Sequence, residues 1–218
     1  MDLYPLSEEF RRSVCKEALE ALEFWLRRVI HDSLSKDFGP DYLNSKNANG
    51  DFRIKAEIRK NIEERKKAEP ERYPRLIDAS LLEHVIDIIC NPELYNKYFS
   101  SSLKEAFPDG REEARTFLKR LEYPRNCLYH ANPISIRLAE KVICYSHDII
   151  DSLKEFYRIN NMEKEFNVPT VIKATDSFGN VFHFNDHTIG YNLRDKPEFH
   201  LRPGDTLTIE LEIDPSFN

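Results

Sequence analysis

One amphipathic pattern runs through residues 134–160, which read ISIRLAEKVICYSHDIIDSLKEFYRIN. Apolar side chains recur there mostly at intervals of three and four residues, a spacing that places them on one side of an α-helix. These residues are Ile136, Ala139, Val142, Ile143, Ile149, Ile150, Leu153 and Phe156. The spacing predicts one long amphipathic helix.

Helical patterns also fill most of the chain before this helix. They cover residues 7–35, 51–68, 79–90 and 110–122, and a short helical piece ends at Phe99. The helix over residues 110–122 is expected to take Asp109 as its N-cap. Breaks between the helices are expected at Gly39-Pro40, Asn91-Pro92, Pro124 and Asn132-Pro133, because proline cannot donate the backbone hydrogen bond that a helix needs. Residues 1–165 are therefore predicted to form a helical domain.

Residues 166–218 have strand and turn signals instead. Residues 177–180, Ser-Phe-Gly-Asn, are typical of a hairpin turn and would join strands at 171–175 and 181–184. A further half-buried strand is predicted where apolar residues alternate with polar ones, at Leu207, Ile209, Leu211 and Ile213. The predicted fold class is mainly α, with a helical bundle followed by a small antiparallel β-rich C-terminal module.

Composition narrows the class of protein. The chain has 218 residues, 32% of them charged, and a mean hydropathy of -0.60, values typical of a soluble protein with long charged helices. No stretch of the sequence approaches about 18 consecutive apolar residues, the length needed to cross a membrane. Acids at the start of the chain do not fit a signal peptide. The four cysteines lack a C-x-x-C pair. We therefore expect a cytoplasmic protein with reduced thiols and no membrane partner.

The net charge of -6 limits how the chain can bind nucleic acid. General nucleic-acid binders are usually basic. Any RNA contact must therefore come from a local patch.

Residues 125–130, RNCLYH, place a permanent cation, an amide and a titratable imidazole close together, which are the types of group needed to cleave RNA without a metal. Arg125 can hold a phosphate through its fork of N–H donors. His130 can exchange a proton near neutral pH. Asn126 lies four residues before His130, about 40° away around a helix, so its amide can orient the imidazole. Pro124 suits the first position of a helix, which would put Arg125 and Asn126 in an anion-attracting first turn.

Arg125 and His130 are five residues apart, about 140° around a helix axis. One straight helix would not aim both side chains at one phosphate. Either the long arginine side chain wraps around the helix, or the site combines residues from two subunits.

The order of these features resembles the HEPN superfamily (higher eukaryotes and prokaryotes nucleotide-binding domains). Members carry an R-N-x-x-x-H motif just before the last long helix of a helical domain, and the resemblance covers about residues 7–160. It implies a bundle of four or five helices that dimerises around a composite cleft, with Arg125, Asn126 and His130 as catalytic residues. Many members are metal-independent RNases in toxin–antitoxin, antiviral or RNA-processing roles.

Two features depart from the family pattern. One toxin subgroup has a tyrosine two positions after the histidine, which a nucleotidyltransferase antitoxin modifies, whereas this chain has Asn132 there. The β-rich module is not part of the minimal family domain.

The sequence therefore predicts a HEPN-type endoribonuclease, a homodimer acting on RNA in stress, toxin–antitoxin or antiviral defence, with an antitoxin or regulatory protein as a further candidate partner. A purely structural motif is the alternative, in which Arg125 pairs with an acid such as Glu122. A third reading is a non-catalytic HEPN-like module that binds RNA or serves a larger complex.

A weaker RNA-binding hypothesis concerns the charged segment 53–75. It names Arg59, Lys60, Arg65 and Lys66 as phosphate contacts and Tyr73 for base stacking. A solvated helix face with pairs such as Glu63–Lys67 is the alternative. No cofactor or metal is predicted, although His183 and His187 flank Asn185-Asp186.

Overall fold

The computed structural model describes residues 7–130, 132–162, 171–177, 179–183, 204 and 206–213. The chain divides into two compact units, Met1–Met162 and Glu163–Asn218; the sequence placed the change of character at 165/166. The described part of the first unit is helical and that of the second contains a small antiparallel sheet. The predicted fold class, mainly α with a β-rich C-terminal module, is confirmed.

The α-helices of the first unit are α1 Glu8–Phe38, α2 Ala56–Ala68, α3 Leu82–Ile89, α4 Pro92–Leu94, α5 Arg111–Lys119, α6 Glu122–Tyr129 and α7 Ile136–Ile159. Two 3-10 turns, Tyr42–Asn44 and Leu76–Ala79, and one π-helical turn, Tyr95–Phe99, connect them. Within the described residues, no helix is both long and apolar enough to cross a bilayer.

The two longest helices, α1 and α7, pack against each other in the core. Their buried apolar stripes include Leu19, Leu22 and Leu26 of α1 and Val142 and Leu153 of α7. Trp25 meets Tyr157 edge-on, with 5.8 Å between ring centroids. The predicted amphipathic pattern of residues 134–160 thus forms one wall of the core, and its helix begins after the N-cap Ser135, whose hydroxyl accepts from the N–H of Leu138.

The helix predicted over 110–122 ends earlier, at Lys119, and the next helix, predicted to start at Pro124, begins at Glu122. Gly110, not Asp109, is the N-cap of α5 and has a φ of 87°, a left-handed conformation that glycine adopts without a steric penalty. Asp109 instead donates its backbone N–H to the Glu113 carboxylate across 2.9 Å. The chain turns after Lys119 and a new helix begins at Glu122, so Pro124 lies inside the first turn of α6.

The second unit contains β1 Val171–Asp176, β2 Val181–His183 and β3 Ile209–Ile213. Both β2 and β3 pair antiparallel with β1, in the order β2-β1-β3, as the predicted hairpin requires. Ala174 lies opposite Phe182 on one side and Leu211 on the other, so apolar side chains share a face. The half-burial predicted for β3 is not seen at Ile209 and Leu211, which are more than half exposed.

Candidate active site

The motif Arg125, Asn126 and His130 lies on α6 and at its end. Pro124 is the third residue of this helix, not the first; its missing N–H is tolerated there because first-turn N–H groups have no partner within the helix. The N–H of Arg125 donates to the carbonyl of Leu121 across 3.0 Å. The expectation that Arg125 offers a free first-turn N–H to an anion is therefore wrong, and its side chain must supply the anion contact.

His130 and Asn126 are the exposed members of the motif. His130 is the C-cap of α6, and its backbone N–H donates to the carbonyl of Asn126 across 3.0 Å. The two residues are one helical turn apart on the same side of α6. An imidazole and an amide are thus presented together to solvent, in the arrangement that a general acid or base with an orienting partner needs.

Arg125 is half-buried, and the acid that holds it is Glu23 of α1 rather than the Glu122 considered from sequence. Arg125 Nε lies 3.4 Å from Glu23 Oε1, and Glu23 is only 5% exposed. The second carboxylate oxygen of Glu23 accepts from Arg27. Two guanidinium cations and one carboxylate leave one net positive charge. The cluster therefore positions Arg125 and remains cationic.

Tyr129 forms the other support of Arg125. The guanidinium carbon of Arg125 lies 4.6 Å from the centroid of the Tyr129 ring, within the range of a cation–π contact. The Tyr129 hydroxyl donates to Glu20 Oε1 across 3.3 Å. Burial, with Glu20 and Glu23 nearby, raises the pKa of Tyr129, so the ring stays a neutral phenol at physiological pH.

Arg12 of α1 holds the segment that carries His130. Its Nη2 donates to the carbonyl of Leu128 across 2.8 Å, and its Nη1 donates to the carbonyl of Asn132. These carbonyls lie two residues before and two residues after His130. The Asn132 N–H also donates to the carbonyl of Cys127 across 2.9 Å. A cation near the last carbonyls of a helix is electrostatically favourable, and here it orients the turn at His130.

Sequence reasoning missed Glu23 and Arg12. Glu23 left one usable signal, since it occupies a core position of the α1 stripe, four residues after Leu19 and three before Leu26. An acid at such a position needs a cationic partner. Arg12 left no comparable signal, because its partners are backbone carbonyls more than 100 residues away in the sequence.

The residues of the weaker RNA-binding hypothesis lie on α2 and in the loop after it, and most have partners within the fold. Arg59 donates to Asn44 and Ile54, and Arg65 to Ala79 and to the Tyr73 hydroxyl. Lys66 donates to backbone carbonyls of the 70–74 loop. Tyr73 is buried, and Lys60 is exposed beside Glu64, 3.8 Å away. The structure does not bring these residues together with the α6 motif through any described bond.

The described residues contain no group of three or more His, Cys, Asp or Glu side chains that could hold a metal ion. His187 and the side chain of His183 lie outside the part of the chain that the structure describes.

The chain matches no protein-family model, no curated protein and no solved structure. The resemblance to the HEPN superfamily therefore stays a prediction that rests on the motif and on the order of the helices.

Proposed function

We propose that this protein is a metal-independent endoribonuclease of the HEPN type, acting as a homodimer with Arg125, Asn126 and His130 as its catalytic residues. The observation that carries the proposal is the arrangement at α6. His130 and Asn126 are exposed on one side of the helix. Arg125 is held by the buried carboxylate of Glu23 on α1, and the cluster of Arg125, Glu23 and Arg27 has a net positive charge.

The proposed reaction is an intramolecular transesterification of RNA. The ribose 2′-oxygen forms a bond to phosphorus, the bond from phosphorus to the 5′-oxygen breaks, and the products are a 2′,3′-cyclic phosphate and a 5′-hydroxyl. His130 takes the proton of the 2′-hydroxyl or gives a proton to the leaving 5′-oxygen, a role typically worth about 10²–10⁴-fold. Arg125 stabilises the extra negative charge of the transition state, and Asn126 orients the imidazole.

The helix geometry supports a proposed dimer. Arg125 and His130 lie about 140° apart around one α6 axis, so a single subunit does not aim both side chains at one phosphate without a large excursion of the arginine. Two facing copies of α6 would supply an arginine from one subunit and a histidine from the other. We accordingly propose RNA and a second copy of the chain as partners, with an antitoxin or another regulatory protein controlling activity.

The proposed location is the cytoplasm. Cys15, Cys90, Cys127 and Cys144 are free thiols, three of them buried. Burial raises the pKa of Cys15 and of Cys90 to about 11, so these thiols stay protonated and unreactive. Packed, reduced cysteines suit a reducing compartment, where stress, toxin–antitoxin or antiviral RNases act.

The test is incubation of purified protein with mixed RNAs in EDTA. We expect cleavage to 2′,3′-cyclic phosphate ends by the wild type, and a loss of about 10²-fold or more in His130→Ala and Arg125→Ala. His147→Ala is the matched control, because His147 is an exposed histidine on α7 and should leave cleavage unchanged. Equal cleavage by His130→Ala and the wild type would overturn the proposal.

One observation favours the non-catalytic alternative, an RNA-binding or interaction module of a larger complex. Arg125 already has an acid and an aromatic ring as partners in the fold, a structural role that needs no phosphate. Under this alternative, wild-type protein would bind partners but be silent toward every RNA, and Arg125→Ala would change stability alone.

A further inference from the structure

An open groove of about 370 Å³ lies between the start of α6 and the first turns of α7. Its lining consists of Tyr123, Pro133, Ser135, Arg137, Leu138 and Lys141. None of these six described residues is acidic. The groove is thus a local cationic site on a chain whose net charge is -6.

The two cations are placed to act on one anion. Arg137 and Lys141 are four residues apart on α7 and both are exposed, so their side chains rise from the same side of the helix. Ser135 Oγ accepts from the Leu138 N–H across 3.2 Å, so the N-terminus of α7 is already capped by the chain itself. An anion in the groove would therefore meet the side chains of Arg137 and Lys141.

Tyr123 gives the groove an aromatic wall. It is 69% exposed, the highest value among the large apolar side chains that the structure describes. Exposing an aromatic ring to water is unfavourable. A ring beside two cations is the combination with which proteins hold single-stranded nucleic acid, since the ring stacks on a base and the cations contact the phosphate.

The Tyr123 wall of the groove and the proposed active site lie on the same side of α6. Tyr123 and His130 are seven residues apart, which is about 20° short of two full turns and about 10 Å along the axis. Asn126 lies between them on the same side of the helix. Tyr123, Asn126 and His130 are all exposed. One strand can therefore run along this side of α6 and contact all three.

We propose that this groove binds a nucleotide of the RNA strand next to the scissile linkage. Tyr123 stacks on its base, and Arg137 and Lys141 bind its phosphate. Pro133 and Leu138 form the apolar floor. The inference rests on the proposed function for the identity of its ligand as RNA, and it assigns substrate-binding residues that lie outside the R-N-x-x-x-H motif. Because stacking tolerates every base, the groove contributes affinity with little sequence preference.

The test measures the binding of a fluorescein-labelled single-stranded RNA oligonucleotide by anisotropy, in full-length His130→Ala protein so that the RNA stays intact. We expect Tyr123→Ala to raise Kd about fivefold or more and Tyr123→Phe to leave it near the starting value, since phenylalanine keeps the ring. Arg137→Gln combined with Lys141→Gln should lower the slope of log Kd against log salt by about 0.7, because the two cations share one phosphate and each lost phosphate contact in a single strand is worth about 0.7. Lys36→Gln combined with Lys104→Gln removes two exposed lysines that do not line the groove and should change the slope little.

The outcomes separate this inference from the proposed function. Weaker binding in the groove variants, together with no cleavage by the wild type, would support the groove and overturn the RNase. Wild-type cleavage with unchanged Kd and unchanged salt slope in the groove variants would overturn the groove and leave the RNase standing. No measurable binding of RNA by the His130→Ala protein would also overturn the groove. The three substituted side chains, Tyr123, Arg137 and Lys141, are exposed, so circular dichroism should show that the variants are folded.

Discussion

Arg125 Nε donates to Glu23 Oε1 across 3.4 Å and so joins α6, which carries the motif, to the long helix α1. The carboxylate is buried and also accepts from Arg27. Removing this buried acid would leave two half-buried arginines without their shared counter-charge, which is destabilising. The geometry of the motif and the stability of the core therefore depend on the same contact.

Replacing Glu23 should lower both stability and activity. We expect Glu23→Ala to reduce the free energy of unfolding by about 2–3 kcal/mol, a value reduced from that of a fully buried pair because both arginines still reach water. Cleavage should fall about 10²-fold in kcat, because a displacement of about 1 Å at a catalytic group can cost that much. Urea unfolding and steady-state kinetics would measure the two effects.

Glu17→Ala is the control for Glu23→Ala, because Glu17 lies on the same helix, is exposed and contacts Ser13 rather than the motif. It should lose less than about 1 kcal/mol. A Glu23→Ala protein with normal kcat would show that the contact only stabilises the fold.

Arg12 should act as a positioning residue for His130. Arg12→Met removes the donors to the carbonyls of Leu128 and Asn132. We expect faster hydrogen exchange at the amides of His130 and Asn132, which donate to Asn126 and Cys127, because the turn that holds them is loosened. Hydrogen-exchange mass spectrometry or NMR would detect this change. Amides of α3 are the internal control. Equal protection at residues 130 and 132 in the wild type and in Arg12→Met would contradict the positioning role of Arg12.

His84 should make stability depend on pH. It is buried on α3, and its Nδ1 accepts from the N–H of Leu81 across 3.3 Å. Burial lowers the pKa of His84 from its ordinary 6.5; Arg65 also lowers it, while Glu83, Asp87 and Glu57 oppose the shift. Between the lowered pKa and 6.5 the unfolded chain binds the proton and the folded chain does not. Stability contributed by neutral His84 is therefore present above 6.5 and is lost as the pH falls below it.

The measurement is urea unfolding at several pH values from 8 down to 5.5. His84 should contribute at most about 1.4 kcal/mol per pH unit to the slope. His84→Asn keeps an acceptor for Leu81 but does not titrate, so its slope should be smaller; some slope should remain from His31, whose pKa burial also lowers. His147→Asn, on an exposed residue, should behave as the wild type. Identical slopes for His84→Asn and the wild type would rule out His84 as a source of the pH dependence of stability.

Tyr157 on α7 should contribute to stability through its contacts with α1. It is fully buried, and its hydroxyl donates to Asp32 Oδ2 across 2.5 Å. Burial and Asp32 raise the pKa of Tyr157, so the hydroxyl remains a donor. Tyr157→Phe keeps the ring against Trp25 and should cost about 1.5–3 kcal/mol, the net value of one hydrogen bond to a charged group, while Tyr157→Ala should cost about 3–5 kcal/mol through the cavity it leaves. Thermal unfolding would measure both, and a neutral Tyr157→Ala would contradict the core position of this ring.

The sequence by itself determined the helices, the sheet and the chemistry of the candidate site. Apolar spacing and proline breaks are local signals, so residues 134–160, the break at Gly39-Pro40 and the C-terminal hairpin could be predicted from neighbouring residues alone. The motif could likewise be placed before the last helix, because all of its members lie within six consecutive positions. The break between α5 and α6 was predicted at Pro124 but lies after Lys119, since proline is tolerated at more than one position of a helix's first turn and so does not mark a single boundary.

Only the tertiary structure decided which groups surround the motif. Arg125 meets Glu23 across 102 positions of sequence, and Arg12 meets Leu128 across 116. Such pairs follow from how α1 packs beside α6, and packing depends on the shapes of whole helices rather than on the spacing of nearby residues. The packing of α6 against α7 likewise places Tyr123 beside Arg137 and Lys141, so the groove depends on how the chain folds back between these two helices rather than on the spacing of adjacent residues.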